Sequence, residues 1–175
     1  MVARVLDCTH RYARAVPAGA TLVAFHPVTT ESDGAAQFTE VLEGALALGS
    51  DVHVVWPNSD PGSHEMSRVL HSYRDRVATH RKLTPEQWTL AMRDCAVLVG
   101  NSSAGLREGS FIGTPTVNVG TRQQGRERAS NVTHAPPNRT AIAIAAEAQA
   151  QHGPYDRSEL YGDGHAAARI VEYLK

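Results

Sequence analysis

The sequence predicts an α/β fold of the doubly wound class, a Rossmann-like parallel sheet with helices on both faces, and three observations predict it. Four short runs, Thr21–Phe25, Val52–Trp56, Ala96–Val99 and Thr116–Val119, have the length and apolar content of strands buried on both sides. Stretches with apolar residues at helical spacing lie between them. Polar segments rich in glycine, proline, serine or asparagine follow the runs directly, and in open α/β sheets such strand ends are where ligands bind.

The elements follow in order. Residues 1–20 form a mixed lead-in, a helix followed by the turn Ala15-Val-Pro-Ala-Gly-Ala20. Thr21–Phe25 is a strand stopped by His26-Pro27, because proline has no N–H to give to a ladder. Phe38–Leu48 is an amphipathic helix with apolar residues at 38, 41, 42, 45, 46 and 48. Val52–Trp56 is the second strand, ended by Pro57-Asn58. Gly62–Tyr73 is a helix with Met66, Val69 and Leu70 on one face and Gly62-Ser63 as its cap. Val77–His80 is a short strand.

Thr84-Pro85-Glu86-Gln87 combines a capping threonine, proline at the first helical position and acidic first-turn chemistry. A helix therefore starts there and runs to Asp94. Ala96–Val99 leads into the small-residue loop Gly100–Gly105 and a short helix through Phe111. Thr116–Val119 is a further strand, with one more at Asn131-Val132. Helices from Thr140 to Gln151 and from Ala166 to Lys175 close a single domain spanning 1–175.

Composition excludes several classes. Hydrophobic residues make up 42% and charged residues 20%, which gives an ordinary soluble domain with a core. A net charge of -1 gives no bulk attraction to nucleic acid or an anionic membrane. No apolar run is long enough to cross a bilayer, and the start lacks the layout of a signal peptide. Cys8 and Cys95 are too few for a disulfide framework, so a reduced, cytoplasmic setting is expected. The nine histidines are scattered without carboxylate or cysteine partners at ligand spacing, so no metal site is expected.

Four strand-end segments are placed to carry chemistry: His26-Pro-Val-Thr-Thr30, Pro57-Asn-Ser-Asp-Pro-Gly-Ser63, Gly100-Asn-Ser-Ser-Ala-Gly105 and Gly120-Thr-Arg-Gln-Gln-Gly-Arg126. In Gly100-Asn-Ser-Ser-Ala-Gly105 the backbone N–H groups and the Ser102 and Ser103 hydroxyls face the start of a helix, a setting that suits an anion such as a diphosphate. The same residues equally describe a turn whose serines cap their own helix. Glu108, just over a turn into that helix, could accept hydrogen bonds from vicinal ribose hydroxyls, or be an ordinary solvated glutamate. Arg122, Arg126 and Arg128 lie in the Gln-rich stretch Gly120–Arg128, either as phosphate clamps or as a mobile solvated loop. His26 leaves a buried strand directly before Pro27, placed to contact a sugar or, as an imidazole expected to titrate near neutrality, to transfer a proton, or simply structural.

Together with Pro57-Asn-Ser-Asp-Pro-Gly-Ser-His-Glu-Met66, Gly113-Thr-Pro115, Asn131-Val132 and Tyr161-Gly-Asp-Gly164, these segments resemble, in family order, the C-terminal half of the hydrolysing UDP-N-acetylglucosamine 2-epimerases. The family includes bacterial enzymes and the epimerase part of the animal bifunctional epimerase/kinase. The resemblance implies one half of a two-domain GT-B fold, with UDP or UDP-N-acetylglucosamine in the cleft between the halves and no cofactor. It implies that Ser102, Ser103 and Gly105 hold the diphosphate, Glu108 the ribose and Arg122 the phosphate side. His26 faces the reacting sugar, and the backbone near Lys82 and Leu83 meets uracil. The family's acid–base carboxylates belong to the N-terminal half, for which residues 1–20 are too short. The chain alone is therefore expected to bind UDP without turnover, with a separately encoded half or a second copy as partners. The alternative is a stand-alone UDP-sugar-binding module.

Overall fold

The computed structural model describes residues 2–7 and 12–175. Met1 and residues 8–11 of the expected lead-in helix, Cys8 among them, lie outside the described residues. The chain runs α1 (Val2–Asp7), β1 (Thr21–Ala24), α2 (Gly34–Leu46), β2 (Val52–Val55), α3 (Ser63–Ser72), β3 (Ala78–His80) and α4 (Pro85–Asp94). It continues β4 (Val97–Gly100), α5 (Ser103–Leu106), α6 (Glu108–Ile112), β5 (Thr116–Val119), β6 (Val132–Ala135), α7 (Arg139–His152) and α8 (Ala166–Tyr173).

Among the described residues all five strand pairings are parallel, and the six strands lie in the order β3-β2-β1-β4-β5-β6. The order reverses between β1 and β4, and the crevice outside that switch point is where doubly wound sheets bind ligands. Two apolar layers sandwich the sheet because alternate strand residues point to opposite faces. Val23, Phe25, Val54, Val99 and Val119 meet Phe38 and Leu42 of α2, Met66 and Leu70 of α3 and Ile142 of α7. Leu22, Ala24 and Leu98 meet Ala91 and Met92 of α4, with Cys95 buried beside them.

Local signals account for the ends. Thr84 and Gln87 form the reciprocal capping box at α4 with Pro85 at its first position, and Asn138 caps α7 by accepting from the Thr140 and Ala141 N–H groups. Helix α2 starts at Gly34, one turn before Phe38, because its first turn carries no large apolar side chain to mark it. Strand β6 extends through Ala135; it is an edge strand with Thr133 and His134 exposed, so its sequence lacks an apolar run. The helix expected after Gly105 breaks at Arg107 into α5 and α6, which makes Glu108 the first residue of α6. Arg14 ties the lead-in to α4 through Asp94 at 2.8 Å.

Candidate functional site

The site begins with the abrupt end of β4. Gly100 has φ +147, and a Cβ there would lie 2.1 Å from the Ala24 carbonyl oxygen, so only glycine lets β4 pass this close to β1. The Ala24 carbonyl then accepts from the N–H groups of Asn101 (3.1 Å) and Ser102 (3.3 Å). These bonds draw the loop across the switch point and aim the start of α5 into the crevice.

Asn101, 1% exposed, is the hub. Its side-chain oxygen accepts from the His26 N–H at 2.7 Å, and its side-chain nitrogen donates to the His26 carbonyl at 2.8 Å. Its own carbonyl accepts from Arg122 Nη1 at 3.2 Å and from Gln123 Nε2 at 2.7 Å. The loops after β1, β4 and β5 therefore meet on one asparagine. The loop after β2 joins through the Asn58 N–H, which donates to His26 Nδ1 at 3.2 Å.

That last contact sets the chemistry of His26. With Nδ1 accepting, the ring proton of the neutral imidazole sits on Nε2. Burial, reinforced by the Arg122 charge and opposed by Asp60, lowers the pKa of His26 from 6.5 to about 4. The expectation that His26 titrates near neutrality is corrected on this ground: at pH 7 it is a neutral hydrogen-bond donor.

A pocket of about 210 Å³ is lined by Ala24, His26, Val55, Leu83, Trp88, Ser102 and Ala104. It unites three of the residues singled out from the sequence: His26, Leu83 and Ser102. Arg122, half-buried, reaches the same centre through Asn101. Ser102 is the N-cap of α5, but its Oγ accepts from the Ala104 N–H only at 3.4 Å. Ser103, the first residue of α5, has an N–H with no intrahelical acceptor. Lys82 is exposed beside Leu83, and Arg126 and Arg128 are exposed.

Two expected site residues stand apart. A Cβ on Gly105 would lie 2.6 Å from Thr116 Cγ2, its N–H donates to the Ser102 carbonyl, and its carbonyl accepts from Asn131 Nδ2. Its role is to let α5 pack on β5, and its polar groups are spent within the protein. Glu108 is half-buried and lines a separate recess of about 180 Å³ with Phe111, Tyr161 and Gly162. Asn101, Asn58 and Gln123 were not identified as a brace from the sequence, since their partners lie far along the chain. Among the described residues no group of three or more His, Cys, Asp or Glu could hold a metal ion. No helix is long and apolar enough to cross a membrane among them.

The profile of the UDP-N-acetylglucosamine 2-epimerase family matches residues 6–175. The chain belongs to this family. It is 32% identical over 157 residues to a UDP-N,N'-diacetylbacillosamine 2-epimerase (hydrolyzing) of Legionella pneumophila, covering 88% of this chain and 42% of the relative. It is 30% identical over 142 residues to a UDP-N-acetylglucosamine 2-epimerase of Neisseria meningitidis, covering 80% and 38%. Among solved structures, the UDP-N-acetylglucosamine 2-epimerase of Methanocaldococcus jannaschii in complex with UDP-GlcNAc and UDP superposes with a TM-score of 0.71 at 11% identity, over 98% of this chain and 48% of that one. The N. meningitidis enzyme bound to UDP-GlcNAc superposes with a TM-score of 0.68 at 15% identity, over 98% and 48%. The epimerase-family chain thus spans about two fifths of the length of these sequence relatives. Its six-stranded parallel sheet is the Rossmann-like kind of domain that makes one half of a GT-B fold.

Proposed function

We propose that this chain is the UDP-binding, C-terminal half of a hydrolysing 2-epimerase that acts on a UDP-linked N-acetylated amino sugar such as UDP-N-acetylglucosamine. The observation that carries the reading is the convergence of His26, Asn101, Ser102 and Arg122 at the switch point of the sheet. On this reading the loop backbone and the Ser102 and Ser103 hydroxyls take the diphosphate, and Arg122 takes its charge from the open side. The backbone at Lys82 and Leu83 meets uracil beside the pocket wall that Leu83 shares with Trp88. Glu108 accepts from the ribose hydroxyls.

The reaction is an elimination of UDP across C1 and C2 of the sugar, followed by hydration to N-acetylmannosamine when the substrate is UDP-N-acetylglucosamine. Negative charge grows on the departing diphosphate, and pre-positioned N–H groups with the Arg122 guanidinium stabilise it there. His26, neutral with its proton on Nε2, serves as a hydrogen-bond donor toward the sugar or the departing oxygen. The base that removes the C2 proton comes from a facing unit, on a longer chain or a separate one, which also excludes water. Helix α8 and its C-cap support a missing contact: Ile170, Val171, Tyr173 and Leu174 are 56% to 91% exposed, an apolar surface left uncovered among the described residues. A second copy of the chain is the other occupant to test for. A free, buried Cys95 is consistent with a reduced, cytoplasmic setting.

Calorimetry with UDP and UDP-N-acetylglucosamine tests the assignment. Similar affinities for the two are expected, with no N-acetylmannosamine released by the chain alone and release on adding a facing half. Absence of UDP binding at millimolar concentration would sink the proposal.

A further inference from the structure

Two loops grip each other beside the end of β4, and neither grip belongs to the core of the fold. After β1 the chain turns at residues 28–31, where the Glu31 N–H donates to the Val28 carbonyl at 2.9 Å. One carboxylate oxygen of Glu31 accepts the Thr121 hydroxyl of the β5–β6 loop. The other accepts from Gln37 Nε2 at 2.7 Å, and the same nitrogen donates to Asp33 Oδ1 at 3.0 Å. Gln37 is 8% exposed, and its side-chain oxygen lies 3.7 Å from where a Cβ on Gly120 would sit. A buried glutamine thus holds Glu31 from behind and touches the base of the loop that Glu31 holds.

That loop needs holding. Its Arg122-bearing part runs between Gly120 (φ +74) and Gly125 (φ +80), so a glycine hinge stands on either side of it and regular structure does not fix its path. Three of its side chains tie it down: Gln123 and Arg122 on the Asn101 carbonyl, and Thr121 on Glu31. Arg122 stands between the other two in sequence.

We propose that Glu31 is a positioning residue: through the Thr121 hydroxyl it holds the β5–β6 loop so that the Arg122 guanidinium stays on the Asn101 carbonyl and faces His26. The meaning for nucleotide binding rests on the function proposed above, but the positioning itself does not. The charges acting on His26 are those of Arg122 and Asp60, so the imidazole reports where the guanidinium is. Loss of the Thr121–Glu31 link frees Arg122 to swing into solvent, where water screens it from the ring.

The test uses Thr121→Val, which deletes the hydroxyl at an exposed position outside the core, with Thr121→Ser restoring it and Arg122→Ala as the reference. Imidazole NMR follows the His26 titration, and calorimetry follows UDP. The expected result for Thr121→Val is a titration midpoint raised toward that of Arg122→Ala and UDP affinity weakened about fivefold. Both return in Thr121→Ser, and thermal stability does not change. A His26 titration in Thr121→Val identical to that of the unmodified chain overturns the proposal. So does a shift that Thr121→Ser fails to reverse. If the unmodified chain takes up no UDP, the nucleotide assignment fails, and the imidazole titration still decides the role of Glu31.

Discussion

The side chain of Asn101 pairs with the backbone of His26 in both directions, accepting its N–H at 2.7 Å and donating to its carbonyl at 2.8 Å across 75 residues of sequence. A single amide thereby imitates one more rung of the β1–β4 ladder just past the last regular pair, and fixes the exit of β1 against the loop after β4.

Asn101→Ala leaves a buried N–H and a buried carbonyl unpaired, and is expected to cost about 2–3 kcal/mol. Asn101→Asp keeps the acceptor but turns the donor into a second acceptor facing the His26 carbonyl, so it is expected to be at least as damaging. Urea denaturation of the two variants checks this. Asn101→Asp matching the unmodified chain would show that the donated bond contributes nothing.

The buried imidazole makes stability depend on pH. The folded-state pKa of His26 is about 4 against an ordinary 6.5, so between these values the unfolded chain takes up a proton that the folded one refuses. The contribution is complete above pH 6.5 and is lost as pH falls toward 4, with a span on the order of 3 kcal/mol. Burial also lowers His53 and His80, and His53 lowers His80 further, which steepens the same trend. Denaturation midpoints at pH 7.5 and pH 5 should fall with acid, and His26→Asn should flatten part of the slope.

Gly113 ends α6 at φ +84, and a Cβ there would lie 2.0 Å from the Tyr155 carbonyl oxygen. Gly113→Ala is expected to cost about 3 kcal/mol through strain and displaced backbone. It should also release the Tyr155 segment, whose N–H donates to the Gly113 carbonyl. Amide hydrogen exchange at Tyr155 and Ser158 distinguishes local release from global loss.

Glu108→Ala is expected to weaken UDP binding about tenfold, with little change in stability, because hydrogen bonds to a charged group contribute about 1.5–3 kcal/mol. With 2′-deoxy-UDP the loss should shrink, since the nucleotide then lacks one of the two hydroxyls. An equal loss with both nucleotides would remove Glu108 from the ribose.

Much of this architecture was legible in the sequence because strands buried on both faces announce themselves as apolar runs, and α4 carries a complete start signal in Thr84-Pro85-Glu86-Gln87. The first turn of α2, the exposed half of β6 and the break at Arg107 were not legible, because none of them carries an apolar pattern. The site divides in the same way. His26, Ser102 and Arg122 follow strand ends directly, so their convergence was expected. Asn101 and Gln123 act through partners on other loops, and a linear pattern of residue types does not encode such contacts. The acidity of His26 was misjudged from residue type alone, since burial and the Asn58 N–H decide it.

The two tryptophans of the chain flank residues 81–83 from different apolar layers, Trp88 with Leu83 in the layer around Leu98 and Trp56 in the layer around Val54. Trp88 lines the pocket with Leu83, and Trp56 lies under the Arg81 guanidinium, 4.7 Å from its ring centre, with its backbone N–H on the His80 carbonyl. Indole emission therefore originates beside the segment assigned to the base, with no competing fluorophore of that kind elsewhere. Occupancy of this wall can be followed by quenching in the native chain, without a dye or an introduced label.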